Sequence, residues 1–109
     1  MSNAIAPAWE TKRNSDVENV LKPKFQQVDA YRYNSASIRV RVIDPSFEGL
    51  SPEQRDALVE PYLAQLPERT QADIMSLYTF APSELQDTQK SLKARLMNAE
   101  FEDPSPSML

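Results

Sequence analysis

The sequence predicts a small α+β domain: a three-stranded sheet with helices packed on one face, in the order α-β-β-α-(α)-β-α, extended by a C-terminal helix. Three observations lead there. Two neighbouring stretches, Gln26 to Tyr33 and Ser37 to Ile43, alternate with period two, as half-buried strands do. A third apolar stretch, Ile74 to Phe80, reads as a strand bounded by helical segments. Those segments carry apolar residues at i, i+3 and i+4, so helices must cover the sheet.

Residues 1–14 lack periodicity and read as a flexible N-terminal arm, 15–84 as the domain, and 85–109 as a C-terminal helix with a flexible tail. Trp9 is the notable residue of the arm, read as an anchor folding back on the domain or as a partner contact. Ser15 and Asp16 precede Val17, Val20 and Leu21, an N-capped short helix that Pro23 stops. In the first strand Val28 and Ala30 point inward while Asp29 and Tyr31 point out. In the second, Ile38, Val40 and Val42 share the inner face, and Arg39 and Arg41 the outer one. Tyr33-Asn34-Ser35-Ala36 is turn chemistry, so the pair forms an antiparallel hairpin.

Ser51-Pro52-Glu53-Gln54 is the strongest helix start, because Ser51 and Gln54 can satisfy each other's backbone N–H in a capping box. Val59, Tyr62, Leu63 and Leu66 form the stripe that follows. Pro61 lies inside it, and an interior proline costs about 3 kcal/mol, which predicts a kink or break near Glu60. In the third strand Ile74, Ser76, Tyr78 and Phe80 oppose Met75, Leu77 and Thr79. A last helix is expected from about Pro82 to Glu100, with a thin stripe of Leu85, Leu92, Leu96, Met97 and Phe101. Such a stripe does not hold a helix alone in water. Leu85, Leu92 and Leu96 are therefore the candidate docking residues, on the chain's own sheet or across a homodimer. Pro104 and Pro106 among polar residues make the end tail-like.

Composition narrows the function. The 109 residues hold no histidine and no cysteine, which removes the common zinc and transition-metal ligands, the usual acid–base side chain and the most reactive nucleophile. A single glycine, Gly49, forbids a Gly-rich phosphate cradle. The net charge of −4 opposes general attraction to nucleic acid. No apolar run is long enough for a membrane span, and Met1 to Glu10 shows no secretory signal. A cytoplasmic, non-enzymatic interaction protein without a cofactor is expected.

The stretch Ile38 to Leu85 resembles the BolA-like proteins. The matching residues are Phe47, Gly49 and Ser51 at the helix start, then Gln54-Arg55, Leu58-Val59 and Leu63, and finally Pro82 with Glu84. With Val17 to Phe25 as the family's first helix, the resemblance covers about residues 16 to 85. It implies a regulatory protein that shares an iron–sulfur cluster with a monothiol glutaredoxin. It also implies a histidine after the helix arginine, where Asp56 follows Arg55, and a histidine ligand at the start of the last strand, which falls on Asp73. The segment between the first two strands offers neither Cys nor His. Carboxylate oxygens do not suit an iron–sulfur centre, so a partner bound without a cluster is expected, and glutaredoxin partnership is in doubt.

Arg32, Arg39 and Arg41, with Tyr31 and Tyr33 nearby, form the candidate nucleic-acid surface, since a hairpin can bring Arg32 beside the other two. Arg55, Asp56 and Asp73 complete the candidate partner surface. Asp56 and Glu60, four residues apart, are like charges on a solvated helix face with no base or nucleophile beside them.

Overall fold

The computed structural model describes residues 6–87 and 89–107. Three strands form one sheet in the order β1 (Gln27–Asn34), β2 (Ser37–Ile43) and β3 (Ile74–Phe80). β1 and β2 are antiparallel across a tight turn, in which the Asn34 side chain accepts from the Ala36 N–H at 2.9 Å. β3 returns parallel to β2. A parallel neighbour needs a long crossover, and α2 (Pro52–Leu63) with α3 (Glu68–Asp73) supplies it. The α+β class and three-stranded sheet follow the expectation.

One face of the sheet carries the expected core. Val28 and Ala30 of β1 and Ile38, Val40 and Val42 of β2 pack against Val17 and Leu21 of α1 (Ser15–Leu21) and Val59 and Leu63 of α2. Ser51 caps α2 with the capping box intact: its hydroxyl accepts from Gln54, and the Gln54 side chain accepts from Ser51. Pro61 does not break α2. It lies in the last turn, exposed, so it costs the helix a single hydrogen bond, to the Ala57 carbonyl, with only two helical residues following.

The second face departs from the expectation. Asp29 and Tyr31 do not point to solvent; they are buried on the side of a second core made by Tyr31 with Trp9, Ile43, Tyr78, Phe80, Ala94 and Phe101. Helices therefore cover both faces: α1 and α2 one, and α5 (Leu92–Glu102) the other. The arm also differs from a flexible segment where it is described. Ala8–Lys12 form a 3-10 turn, and Trp9, 3% exposed, stacks on Tyr31 at 5.4 Å and meets Phe101 edge-on at 5.3 Å. Residues 1–5 lie outside the described residues.

The single expected C-terminal helix is two, α4 (Pro82–Gln86) and α5. Ser91 starts the second by accepting from the Ala94 N–H at 3.0 Å. Its inward face is Ala94, Asn98 and Phe101, at i, i+4 and i+7, and the expected stripe is turned outward: Leu92 is 61% and Leu96 62% exposed. Phe101, wholly buried among Trp9, Tyr31 and Tyr78, outweighs two leucines as an anchor. Leu85 alone of the three candidates packs against this core.

Candidate interaction site

The arginines expected on one open face are separated and engaged. Register pairs Asp29 with Arg41 and Tyr31 with Arg39, which puts both arginines on the face covered by α5. Arg32 pairs with Ile38 and so belongs to the other face. There it meets Asp73 at 2.9 Å, so two predicted site residues 41 positions apart come together in one ion pair. Arg41, only 4% exposed, donates to Asp29 at 2.7 Å, to Asn98 at 2.8 Å and to Glu102, with its guanidinium 4.4 Å from the Phe101 ring centre. Arg39 lies 3.7 Å over the Tyr33 ring and donates to the Glu100 carboxylate at 3.1 Å.

These contacts set the electrostatics. Burial works to raise the Asp29 pKa, but hydrogen bonds from Arg41 and Gln27 and the charge of Arg41 hold it below the ordinary value. Glu100 is lowered to about 2 by the hydroxyl and N–H of Ser105, with Arg39 adding to the effect. Glu100 thus ties the tail back to α5, and Tyr33 fixes the same segment by donating to the Ser105 carbonyl at 2.5 Å. The tail is strapped to the sheet as far as Ser107, whose hydroxyl accepts from Asn34 at 3.0 Å.

Arg55 has a structural post as well. It forms a two-pronged pair with Glu84 at 2.8 and 3.1 Å and also donates to the carbonyls of Leu50 and Thr79, each at 3.0 Å. α2, α4 and the end of β3 are locked together by this one side chain. Asp56, next to it in sequence, is half-buried beside β3. Burial, then the charges of Glu60 and Glu53, raise its pKa.

The two edges of the sheet are unequal. At β1 the outer edge is closed: Arg13 bridges to Tyr31, the Asn14 N–H donates to the Ala30 carbonyl at 2.8 Å, and the Ala30 N–H donates to the Glu18 carboxylate at 3.1 Å. At β3 the sheet simply ends. Successive peptide groups alternate across a strand. The Phe80 carbonyl accepts from Asp44, at the end of β2, so Leu77 and Thr79 present their backbone groups away from the sheet. Arg55 takes the Thr79 carbonyl; the rest of this short edge pairs with no strand among the described residues.

Two hollows run along that edge and share Asp56 and Leu77. One, of about 270 Å³, lies between α2 and α5, with Leu50, Phe80 and Met97 as its apolar walls and Lys93 at its rim. The other, of about 550 Å³, follows the start of β3 past Glu60, Leu63 and Ile74. Exposed Met75 stands beside it, because an irregularity at the start of β3 flips the register between Ile74 and Ser76. No local pattern marks Met75, Leu77 or Lys93 as site residues, and Met97 enters the sequence reading only as part of the C-terminal stripe. The one local signal is a β3 free of charge and proline, and that marks an edge only once the strand order is known.

Asp56 and Glu60 both line the second hollow, among otherwise uncharged residues. No helix among the described residues is long and apolar enough to cross a membrane. No protein-family model, curated protein or solved structure matches this chain.

Proposed function

We propose that this chain is a non-enzymatic, BolA-like interaction protein of the cytoplasm, which regulates through a protein partner held at the open edge of β3 and ligates no iron–sulfur cluster. One observation carries the reading: β1's edge is closed by the arm and Glu18, whereas β3's edge is open and flanked by an apolar groove. Unpaired strand edges bind extended polypeptide through main-chain hydrogen bonds, with flanking pockets selecting side chains. The position that the resemblance gives to a cluster ligand, Asp73, is engaged with Arg32 and offers only hard oxygen. The protein reading is preferred to a nucleic-acid one because Arg39 and Arg41 already have carboxylate partners and lie under α5.

A photocrosslinking residue at Met75, with one at exposed Asn19 of α1 as control, tests this in cells. A discrete polypeptide adduct is expected from position 75 and none from position 19. No adduct from 75, or the same adducts from both, removes the reading. Adding the chain to a cluster-loaded monothiol glutaredoxin should leave the visible absorbance unchanged, and an altered spectrum would show that a cluster role persists.

A further inference from the structure

We propose that the end of β1 forms a second polypeptide site, a groove for an extended, acidic, proline-containing peptide, and that the chain's own tail occupies it as a displaceable cover. The groove belongs to the edge of the sheet opposite β3, so it is independent of the docking site proposed there. Trp9, Tyr31 and Tyr33 form an aromatic wall, and Pro104 to Ser107 lie along it across a hollow of about 250 Å³. Three side chains hold the segment. Tyr33 donates to the Ser105 carbonyl at 2.5 Å, and Asn34 donates to the Ser107 hydroxyl at 3.0 Å. The Glu100 carboxylate accepts from the N–H and the hydroxyl of Ser105, at 2.8 and 2.5 Å. Extended proline-rich peptides dock on aromatic-lined grooves, because their backbone is already in the bound shape and has no internal hydrogen bonds to give up.

The tail is seated as a ligand is and fastened like one that can leave. Pro104 and Pro106 have no N–H to donate to a strand, and the segment is held by side chains instead. Ser105 and Pro106 are exposed, Pro104 and Ser107 are half-buried, and the hollow beneath them is unfilled. The hold therefore rests on surface hydrogen bonds, each of modest worth in water. Tyr33 and Asn34 belong to β1 and Glu100 to α5, so all three stay in place when the tail leaves and can receive the same groups from another polypeptide. Charge favours an acidic one. Lys12 lines the groove and makes no ion pair among the described residues, Arg32 lines it held by Asp73, and the Glu100 carboxylate is itself balanced by Arg39 at 3.1 Å. In the tail, Asp103 leads into the first proline.

The test is titration of the full chain with a synthetic peptide of the sequence from Asp103 to Ser107, capped at both ends. Trp9, the chain's single tryptophan, lies in the wall of the groove and reports binding by its fluorescence. Ser105→Ala in the chain takes one donor to Glu100 from the tail and nothing from the groove, while the peptide keeps its serine. Less self-occupancy leaves more of the groove open, so this variant should bind the peptide roughly fivefold or more tightly than the unmodified chain. A peptide with alanine for its central serine should bind several-fold more weakly to either chain, and so should one with glycine for both prolines. Circular dichroism melts establish that the variant is folded. No saturable change at Trp9 in the Ser105→Ala chain overturns the proposal. Equal affinity in the two chains also overturns it, because tail and peptide would then not share a site. Equal binding of the alanine peptide does so too, since Glu100 would not be reading the serine.

Discussion

Asp29 and Arg41 stand opposite each other on β1 and β2, and the Arg41 guanidinium donates to Asp29 Oδ2 at 2.7 Å on the face that α5 covers. Both side chains are nearly closed off from water, and each has further partners: Arg13 and Gln27 for Asp29, Asn98 and Glu102 for Arg41. The pair therefore ties α5 and the arm to the sheet at a single point.

Removing one member leaves the other charge buried with incomplete compensation, which costs about 3–5 kcal/mol. Arg41→Met is expected to lose stability in that range by urea unfolding. Asp29→Leu with Arg41→Met replaces the pair by apolar groups and should recover most of the loss. A double variant no more stable than the sum of the single losses would show that the two residues act independently.

The helix α5 should depend on Phe101 and not on its leucines. Phe101→Ala opens a cavity among Trp9, Tyr31 and Tyr78 and should cost about 3–5 kcal/mol. Leu92→Asp with Leu96→Asp changes two exposed positions and should leave stability within about 0.5 kcal/mol per site. Thermal melts of the two variants give the comparison directly, and equal losses would mean that α5 presents a different face to the sheet.

Acid should loosen the tail and the sheet together. Glu100 has its folded pKa lowered from 4.5 to about 2, so the unfolded chain takes up its proton first. Its stabilising contribution is present above about pH 4.5 and is lost as pH falls through about 2. Asp29 and Glu84 are lowered as well and act in the same direction. Asp56 is raised and has the opposite sign: its carboxylate opposes folding at neutral pH and is relieved by protonation. Glu100→Gln should flatten the fall in melting temperature between about pH 4.5 and 2, while Asp56→Asn should raise the melting temperature at neutral pH. An unchanged acid limb in Glu100→Gln would mean that its contacts with Ser105 and Arg39 add nothing to stability.

How much of the fold is legible in the sequence depends on the range of the interaction. The Ser51–Gln54 capping box and the inner faces of β1 and β2 are local patterns, and both are present as read. Polarity alone points Asp29 and Tyr31 outward. Their burial depends on Arg41 and Phe101, 12 and 70 positions away along the chain, which no local window contains. Hydropathy misleads on the face of α5 for a related reason: leucine is more apolar than alanine, but Ala94 and Asn98 share a side with Phe101 and the leucines do not. Residue type groups Arg32 with Arg39 and Arg41, although period two places it on the other face. The open edge of β3 is a property of strand order, and the pairing of β3 with β2 is not encoded in any one segment.

The full chain should not bind nucleic acid through the arginine face. Filter binding or gel shifts at low salt should show no retention of RNA or single-stranded DNA, because Arg39 and Arg41 already hold Glu100, Asp29 and Glu102. Tight binding that falls steeply with salt and is lost in Arg39→Glu would contradict this.

Amide hydrogen exchange at Leu77 and Thr79 tests the open β3 edge most directly. At low micromolar concentration both amides should exchange rapidly, while the Val40 and Val42 amides between β1 and β3 stay protected. With the docked polypeptide present, Leu77 and Thr79 should become protected and the inner amides should change little. Protection of Leu77 and Thr79 in the dilute, isolated chain would mean that the edge is closed by the chain itself, and the proposed docking site would not exist.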